Sequence, residues 1–187
     1  MLTTERLELR PMTLAHLPLH HQLDTDPEVM RYLLGRARTP QEIDEFWISR
    51  CADTVADASG IGGWVGFVGD RAVGWWSIVR SDAGPHDAAN LGEAEVGWRV
   101  LRSQWGQGLA TEGAIALLHH AFGTVGLARV WAETMAVNAP SRRVMEKVGM
   151  RHVATEVREW DDPLPGSELG EVTYEITRQQ WVGSLTR

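Results

Sequence analysis

The chain has 187 residues, one cysteine and a formal net charge of −7, from 18 basic and 25 acidic side chains. This length suits a single domain over residues 1–187, and the negative charge argues against nucleic acid as the main ligand and is compatible with a cationic partner. A lone cysteine excludes an internal disulfide framework, and no run of about 20 apolar residues occurs, so we expect a cytoplasmic protein without a membrane span or an export signal.

Apolar periodicity and turn residues in the first half of the chain predict a strand, three helices and a β-hairpin. The third helix begins at Thr39-Pro40, which supplies an N-cap and a proline at the first helical position. The predicted elements cover residues 7–10, 14–23, 27–34, 40 to about 60, and 64–79, and a loop follows over 81–91.

The second half predicts alternating strands and helices. A strand containing Glu93 and Glu95 precedes a helix that starts near residue 110 and closes at Gly123. Beyond it lie a strand over 129–134, a helix over 140–148 closed by Gly149, and strands over 150–158 and 172–177. This order predicts an α+β fold in which a layered sheet carries helices on both faces.

A glycine-rich loop between the strand and the helix is the strongest sign of function. The first N–H groups of a helix lack intrahelical partners and lie at the positive end of its dipole, so this bend can hold a pyrophosphate. Gly106 and Gly108 let the backbone approach such a ligand. No Gly-Lys pair occurs in the chain, which argues against a nucleoside triphosphate loop, and Thr111 replaces the third glycine of the dinucleotide fingerprint.

The segment Trp105-Gly106-Gln107-Gly108-Leu109-Ala110 resembles the coenzyme A loop of the GNAT superfamily of N-acetyltransferases, with tryptophan at the first position in place of Gln or Arg. With tryptophan at this position, the loop resembles that of the RimJ/RimL-like branch of ribosomal-protein acetyltransferases. Three more segments carry the resemblance: Thr4-Glu5-Arg6-Leu7-Glu8-Leu9-Arg10-Pro11, Asp26-Pro27-Glu28-Val29-Met30-Arg31-Tyr32, and the stretch from Asn138 to Met150. The resemblance implies a mixed, mostly antiparallel central sheet.

The same resemblance implies which residues bind acetyl-CoA, the co-substrate, and it implies no metal. The diphosphate is expected on the loop formed by Trp105, Gly106, Gln107, Gly108, Leu109, Ala110 and Thr111. Main-chain groups of Arg99, Val100 and Leu101 are expected to face the pantetheine arm and the thioester carbonyl, where the strand splays from its neighbour. Asn138 is expected to hydrogen-bond the pantetheine chain, with helix N-capping as the alternative.

Two carboxylates on the strand before the loop are candidates for a general base. Glu93 and Glu95 are two residues apart and therefore share a face of the strand. The resemblance favours Glu95 as the group that takes a proton from the amine, directly or through a water. The alternative is that Glu95 hydrogen-bonds a neighbouring strand or lies in solvent.

The group that protonates the leaving thiolate is harder to identify. Many GNAT enzymes use a tyrosine where this chain has Met145, which cannot donate a proton. The role therefore falls to Ser141, to water or to nothing, and helix capping is the alternative for Ser141. The resemblance implies direct acetyl transfer to a primary amine in a ternary complex. A non-catalytic acyl-CoA-binding or sensor module is the alternative.

The acceptor is not specified by the motifs. Relatives in this branch modify ribosomal or other protein N-termini or small amines, and homodimers are frequent in the family. Trp75 and Trp76 face opposite sides of one predicted strand, so at least one of them can line an acceptor pocket that attracts a cationic amine. His16 and His20 share a helical face but lack companion ligands, so we expect surface histidines.

Overall fold

An eight-stranded sheet forms the centre of this computed structural model, which describes residues 1–52, 60–80 and 92–185. Its spatial order is β1-β2-β3-β4-β5-β6-β8-β7, and every neighbouring pair is antiparallel except β5 and β6. The predicted mixed, mostly antiparallel sheet is confirmed. The strands are β1 (Leu2–Thr3), β2 (Glu8–Pro11), β3 (Gly62–Val68), β4 (Arg71–Val79), β5 (Glu93–Val100), β6 (Arg129–Met135), β7 (Arg151–Glu156) and β8 (Glu171–Thr177).

Helices connect the strands at most of the predicted places. They are α1 (Leu17–Asp24), α2 (Pro27–Met30), α3 (Pro40–Ala52), α4 (Leu109–His119), α5 (Ala139–Lys147) and α6 (Arg178–Leu185). The sequence predicted neither the short β1 nor α6. The predicted loop over 81–91 lies outside the described residues, as does the segment 53–59 that follows α3.

Two helix ends differ from the prediction, each for a backbone reason. The helix expected over 27–34 stops at Met30, whose carbonyl accepts the N–H groups of Leu33, Leu34 and Gly35 in a turn. The helix expected to close at Gly123 continues as a π-helical segment, His120–Val125, and ends at Gly126, which has a φ of 79°. A left-handed residue, not the first glycine reached, terminates this helix.

The two faces of the sheet pack against different helices, because side chains alternate along a strand. On one face, Trp76 is fully buried and its indole N–H donates to the Ala110 carbonyl of α4 at 3.2 Å. A Cβ at Gly113 of α4 would lie 2.4 Å from this indole, so glycine permits the close approach. On the other face, Leu19 and Leu23 of α1 pack against β3 and β4. Helices therefore cover both faces, as predicted.

A gap opens in the sheet where β5 leaves β6. The parallel pairing of these strands covers only Glu93 to Glu95 opposite Arg129 to Trp131, whereas β5 stays paired with β4 as far as Val100. The strands thus separate after Glu95, at the splay that the resemblance implies. Among the described helices, none is both long and apolar enough to cross a membrane.

Candidate active site

The glycine loop forms a bend with open space on its outer side. Gly106 and Gly108 have φ angles of 75° and 81°, a region that favours glycine, and α4 begins directly after Gly108. A Cβ at Gly106 would meet nothing within 4 Å, and one at Gly108 would lie 3.5 Å from Nη2 of Arg6. The bend therefore leaves room for a ligand to reach the backbone.

The amides of this bend have no hydrogen-bond partner in the part of the chain that the structure describes. Among the residues that the structure describes, no hydrogen bond is donated by the N–H groups from Gly106 to Thr111. Such N–H groups at a helix N-terminus favour an anion. The bend is therefore suited to an anion such as a diphosphate.

The N-terminal segment is tied to the first turn of α4. The backbone N–H of Arg6 and the hydroxyl of Thr4 donate to Oε1 of Glu112, at 2.9 and 2.6 Å. The Arg6 side chain donates to the Glu112 carboxylate and also to the Gln107 carbonyl, at 2.9 Å. These bonds hold an arginine beside the glycine loop, a contact that the sequence analysis did not predict.

The main-chain hydrogen bonds of β5 differ from the prediction that Arg99, Val100 and Leu101 face the pantetheine arm. The Leu101 N–H donates to the Val73 carbonyl at 2.9 Å, and the alternation of an antiparallel ladder directs the Arg99 main chain to β4 as well. The Val100 carbonyl accepts a bond from the Trp105 indole at 2.8 Å. The prediction of free groups was therefore wrong for Arg99 and Leu101, whereas the N–H groups of Trp98 and Val100 point into the gap.

The two candidate carboxylates have different surroundings in the structure. Glu93 forms an ion pair with Arg129, at 2.6 Å between oxygen and nitrogen. The carboxyl group of Glu95 has no hydrogen bond or ion pair with any part of the chain that the structure describes, and it lies where β5 and β6 diverge. Burial, together with the nearby Glu133 carboxylate, raises the pKa of Glu95 to about 7. A carboxyl group with such a pKa can exchange a proton near neutral pH.

Asn138 is the N-cap of α5. Its Oδ1 accepts the Ser141 N–H at 3.3 Å and its Nδ2 donates to the Thr134 hydroxyl at 2.9 Å, so the amide serves the alternative role considered above. Because Asn138 caps the helix, capping does not occupy the Ser141 hydroxyl. Met145, at the place of the family's tyrosine, is buried in the core with 2% exposure.

A buried charged cluster lies beside Trp75, on the face of the sheet that carries Glu95. Asp24 is fully buried and contacts the guanidinium groups of Arg99 and Arg38, the second at 3.7 Å. The Trp47 indole N–H donates to the same carboxylate at 2.9 Å. The Arg99 side chain therefore lies on the α1 side of the sheet.

The comparison with known families agrees with this geometry. A family model described as an acetyltransferase (GNAT) domain matches residues 6–151, which include the glycine loop and Glu95. The chain belongs to the GNAT acetyltransferase family. It is therefore an acetyltransferase of the class that uses acetyl-CoA to acetylate nitrogen.

Three known proteins are similar to this GNAT chain in sequence or in structure. A protein of Aspergillus fumigatus named FsC-acetyl coenzyme A-N(2)-transacetylase is 42% identical over 97% of this chain and 77% of its own length. A GNAT-family acetyltransferase from Bacillus anthracis has a TM-score of 0.71 at 24% identity, covering 95% of this chain and 98% of that one. An aminoglycoside acetyltransferase solved with coenzyme A has a TM-score of 0.74 at 18% identity, covering 96% and 99%.

The GNAT motifs did not reveal the residues around Asp24. His20, expected at the surface, is fully buried and stacks on Trp47 with ring centroids 3.7 Å apart. The expectation was wrong because the spacing of His16 and His20 says which helical face they share but not what covers it. A usable signal was present: His20 and Asp24 are four residues apart and therefore neighbours on α1.

Proposed function

We propose that this GNAT protein transfers the acetyl group of acetyl-CoA directly to a primary amine within a ternary complex, with Glu95 as the general base. The observation that carries the proposal is the position of Glu95. Its carboxyl group is unpaired among the described residues, has a pKa raised to about 7, and lies at the point where β5 and β6 separate.

The glycine loop and the first turn of α4 would hold the coenzyme. The amides from Gly106 to Thr111 are available to its diphosphate, and the N–H groups of Trp98 and Val100 are the donors directed into the gap. When bound, acetyl-CoA supplies the acetyl group as a thioester. Donors near the carbonyl oxygen would stabilise its growing negative charge.

Glu95 would make the acceptor nucleophilic. An alkylammonium group has a pKa near ~10, so its lone pair becomes available only after a proton is lost. We assign that proton to the Glu95 carboxylate, directly or through a water. Because the Glu133 carboxylate is already paired with Arg158, it is the Glu95 carboxylate that would favour a cationic amine over a neutral one.

The Ser141 hydroxyl is the proposed donor to the departing thiolate. It lies in the first turn of α5, and the capping position is already taken by Asn138. The loss of the tyrosine at Met145 is the observation behind the alternative, a GNAT domain that binds acyl-CoA without turning it over.

Two resemblances bear on the identity of the amine. Likeness to the RimJ/RimL-like branch favours a protein N-terminus, whereas the name of the Aspergillus fumigatus relative specifies transfer to N(2) of FsC. Because that relative is 42% identical over 97% of this chain, we propose that the acceptor is a primary amine of a molecule other than a protein N-terminus.

Thiol release tests the proposal directly. Purified protein is mixed with acetyl-CoA and a panel of amines, and free thiol is detected with a chromogenic disulfide. We expect amine-dependent release that Glu95→Gln abolishes while calorimetry still shows coenzyme A binding. Saturable coenzyme A binding without thiol release from any amine would favour the non-catalytic alternative.

A further inference from the structure

Most of the buried side-chain nitrogens that lack a partner in the described part of the chain lie in one place. Within the described residues, five buried side-chain nitrogens make no hydrogen bond, and four of them belong to His20, Arg38 and Trp75. Leaving a buried donor unpaired is unfavourable, because the group loses its hydrogen bonds to water, so native proteins contain few such groups. A cluster of them therefore indicates a missing partner.

The three side chains form one continuous cluster through ring and ion contacts. The ring centroids of His20 and Trp75 are 6.4 Å apart, and Trp47 packs against both. Arg38 lies 3.7 Å from the Asp24 carboxylate, too far for a hydrogen bond, and that carboxylate also accepts the Trp47 indole. The unpaired atoms of all three side chains therefore belong to one buried cluster, linked through Trp47 and Asp24.

The charge of the cluster is not balanced by the groups it contains. Arg38 and Arg99 bring two positive charges, and Asp24 brings one negative charge. Burial, reinforced by the positive charge of Arg99, lowers the pKa of His20 to about 3, so His20 is neutral at pH 7. The cluster therefore carries one excess positive charge, which favours a ligand atom with negative or partial negative charge.

The cluster lies on the same face of the sheet as Glu95. Glu95, Gly97 and Arg99 alternate onto one face of β5, and Trp75 pairs with Arg99 on the neighbouring strand. A Cβ at Gly97 would lie 3.3 Å from the Ser77 hydroxyl and 3.9 Å from the Trp75 ring. Because Gly97 has no side chain, no side chain of β5 stands between Glu95 and the cluster on this face of the sheet.

We propose that Trp75, Arg38 and His20 form an acceptor subsite that binds an amide, ester or carboxylate oxygen of the amine substrate. This inference rests on the proposed function, in which the amine nitrogen lies at Glu95. Trp75 Nε1 and Arg38 Nη1 can only donate, so the atom they meet must accept hydrogen bonds. An amine without oxygen, such as a polyamine, leaves both donors unpaired.

The distance between the base and the cluster sets the size of the acceptor. Four residues of strand separate Glu95 from Arg99, roughly 13 Å between their Cα atoms at 3.3 Å per residue. The amine and the oxygen are therefore several bonds apart, as in a short peptide-like molecule.

The test compares triglycine with spermidine, two amines of similar length of which only the first carries amide and carboxylate oxygens. In protein with ¹⁵N-labelled indoles, loss of a signal in Trp75→Phe assigns the Trp75 N–H resonance. We expect triglycine to move this resonance downfield and spermidine to leave it in place. We also expect Trp75→Phe to raise the KM for triglycine about 3- to 10-fold, the loss of one hydrogen bond, with the KM for spermidine and acetyl-CoA unchanged.

Trp64→Phe is the matched control, because Trp64 is a buried indole on the opposite face of the sheet, paired with Trp76. It should leave the triglycine to spermidine KM ratio unchanged. The subsite is refuted if triglycine leaves the Trp75 resonance unmoved, or if Trp75→Phe and Trp64→Phe alter that ratio equally. The resonance shift is independent of turnover, so absence of thiol release would count against the proposed function alone.

Discussion

Arg6 and Glu112 are 106 residues apart in sequence and form a two-point contact, in which the Arg6 main chain and guanidinium each donate to the Glu112 carboxylate. Burial acts to raise the pKa of Glu112, but the hydrogen bonds from Thr4 and Arg6 outweigh it and lower the pKa. A bare carboxylate in the first turn of α4 would repel a diphosphate on the adjacent amides. Arg6 offsets that charge.

Removal of the Arg6 guanidinium should weaken coenzyme binding. We expect Arg6→Gln to raise the dissociation constant for coenzyme A about 5- to 10-fold in calorimetry at low salt, because the Glu112 charge becomes uncompensated. Arg36→Gln is the control, since it removes another exposed arginine–glutamate pair, with Glu42, whose described contacts do not include the loop. Equal affinity of wild type and Arg6→Gln would show that the contact only fastens the N-terminal segment.

Substitution at Gly108 tests the loop itself. Gly108→Glu places a side chain and a negative charge where φ is 81°, and we expect at least a 100-fold loss of coenzyme A affinity. Gly69→Glu is the matched control, because Gly69 also has a positive φ, of 58°, and open space around it, in the β3–β4 turn. Coenzyme A affinity in Gly108→Glu equal to that of Gly69→Glu would remove the loop from the binding site.

The pH dependence of turnover should follow Glu95. With a pKa of about 7, Glu95 is protonated and unable to accept a proton at low pH, so kcat should rise as pH increases through 7. Glu95→Gln should lower kcat at least 100-fold and abolish this rise. Glu93→Gln, which breaks the Arg129 pair instead, should keep the profile, and an unchanged profile in Glu95→Gln would exclude Glu95 as the base.

The same carboxyl group should make stability fall with rising pH. Its pKa is above the value of about 4.3 in the unfolded chain, so the folded protein binds the proton more tightly between pH 4.5 and 7. The favourable contribution is complete below that window and is lost as pH rises through 7. Urea unfolding at pH 8 should therefore show Glu95→Gln more stable than wild type, on the order of 1–3 kcal/mol.

Ser141→Ala separates catalysis from capping. If the hydroxyl protonates the thiolate, kcat should fall about 10- to 100-fold while the unfolding free energy changes little, because Asn138 supplies the cap. Asn138→Ala should show a loss of stability of about 1 kcal/mol from the missing cap. A Ser141→Ala enzyme with wild-type kcat would leave protonation to water.

Asp24 should be among the most sensitive positions for folding. Asp24→Asn leaves the buried side chains of Arg38 and Arg99 without a negative partner, and we expect a loss of about 3 kcal/mol in urea unfolding. Asp44→Asn, which removes an exposed carboxylate paired with His21, should change stability by less than about 0.5 kcal/mol. A small effect at Asp24 would mean that water reaches the cluster.

Local chemistry in the sequence determined the glycine loop, the strand before it and the helix after it. Positive φ at Gly106 and Gly108, a free helix N-terminus and the shared face of Glu93 and Glu95 all depend on neighbouring residues. The α+β fold with helices on both faces also followed from the order of elements. These features need no knowledge of what packs where.

Only the tertiary structure decided which carboxylate is free and which residues meet across the sheet. Glu93 and Glu95 are alike in sequence, but Arg129 from β6 neutralises the first and burial raises the pKa of the second. Asp24, Arg38 and Arg99 come from three separate segments, and their contact depends on how α1 packs on the sheet. Burial and long-range pairing arise from packing, which local sequence patterns do not encode.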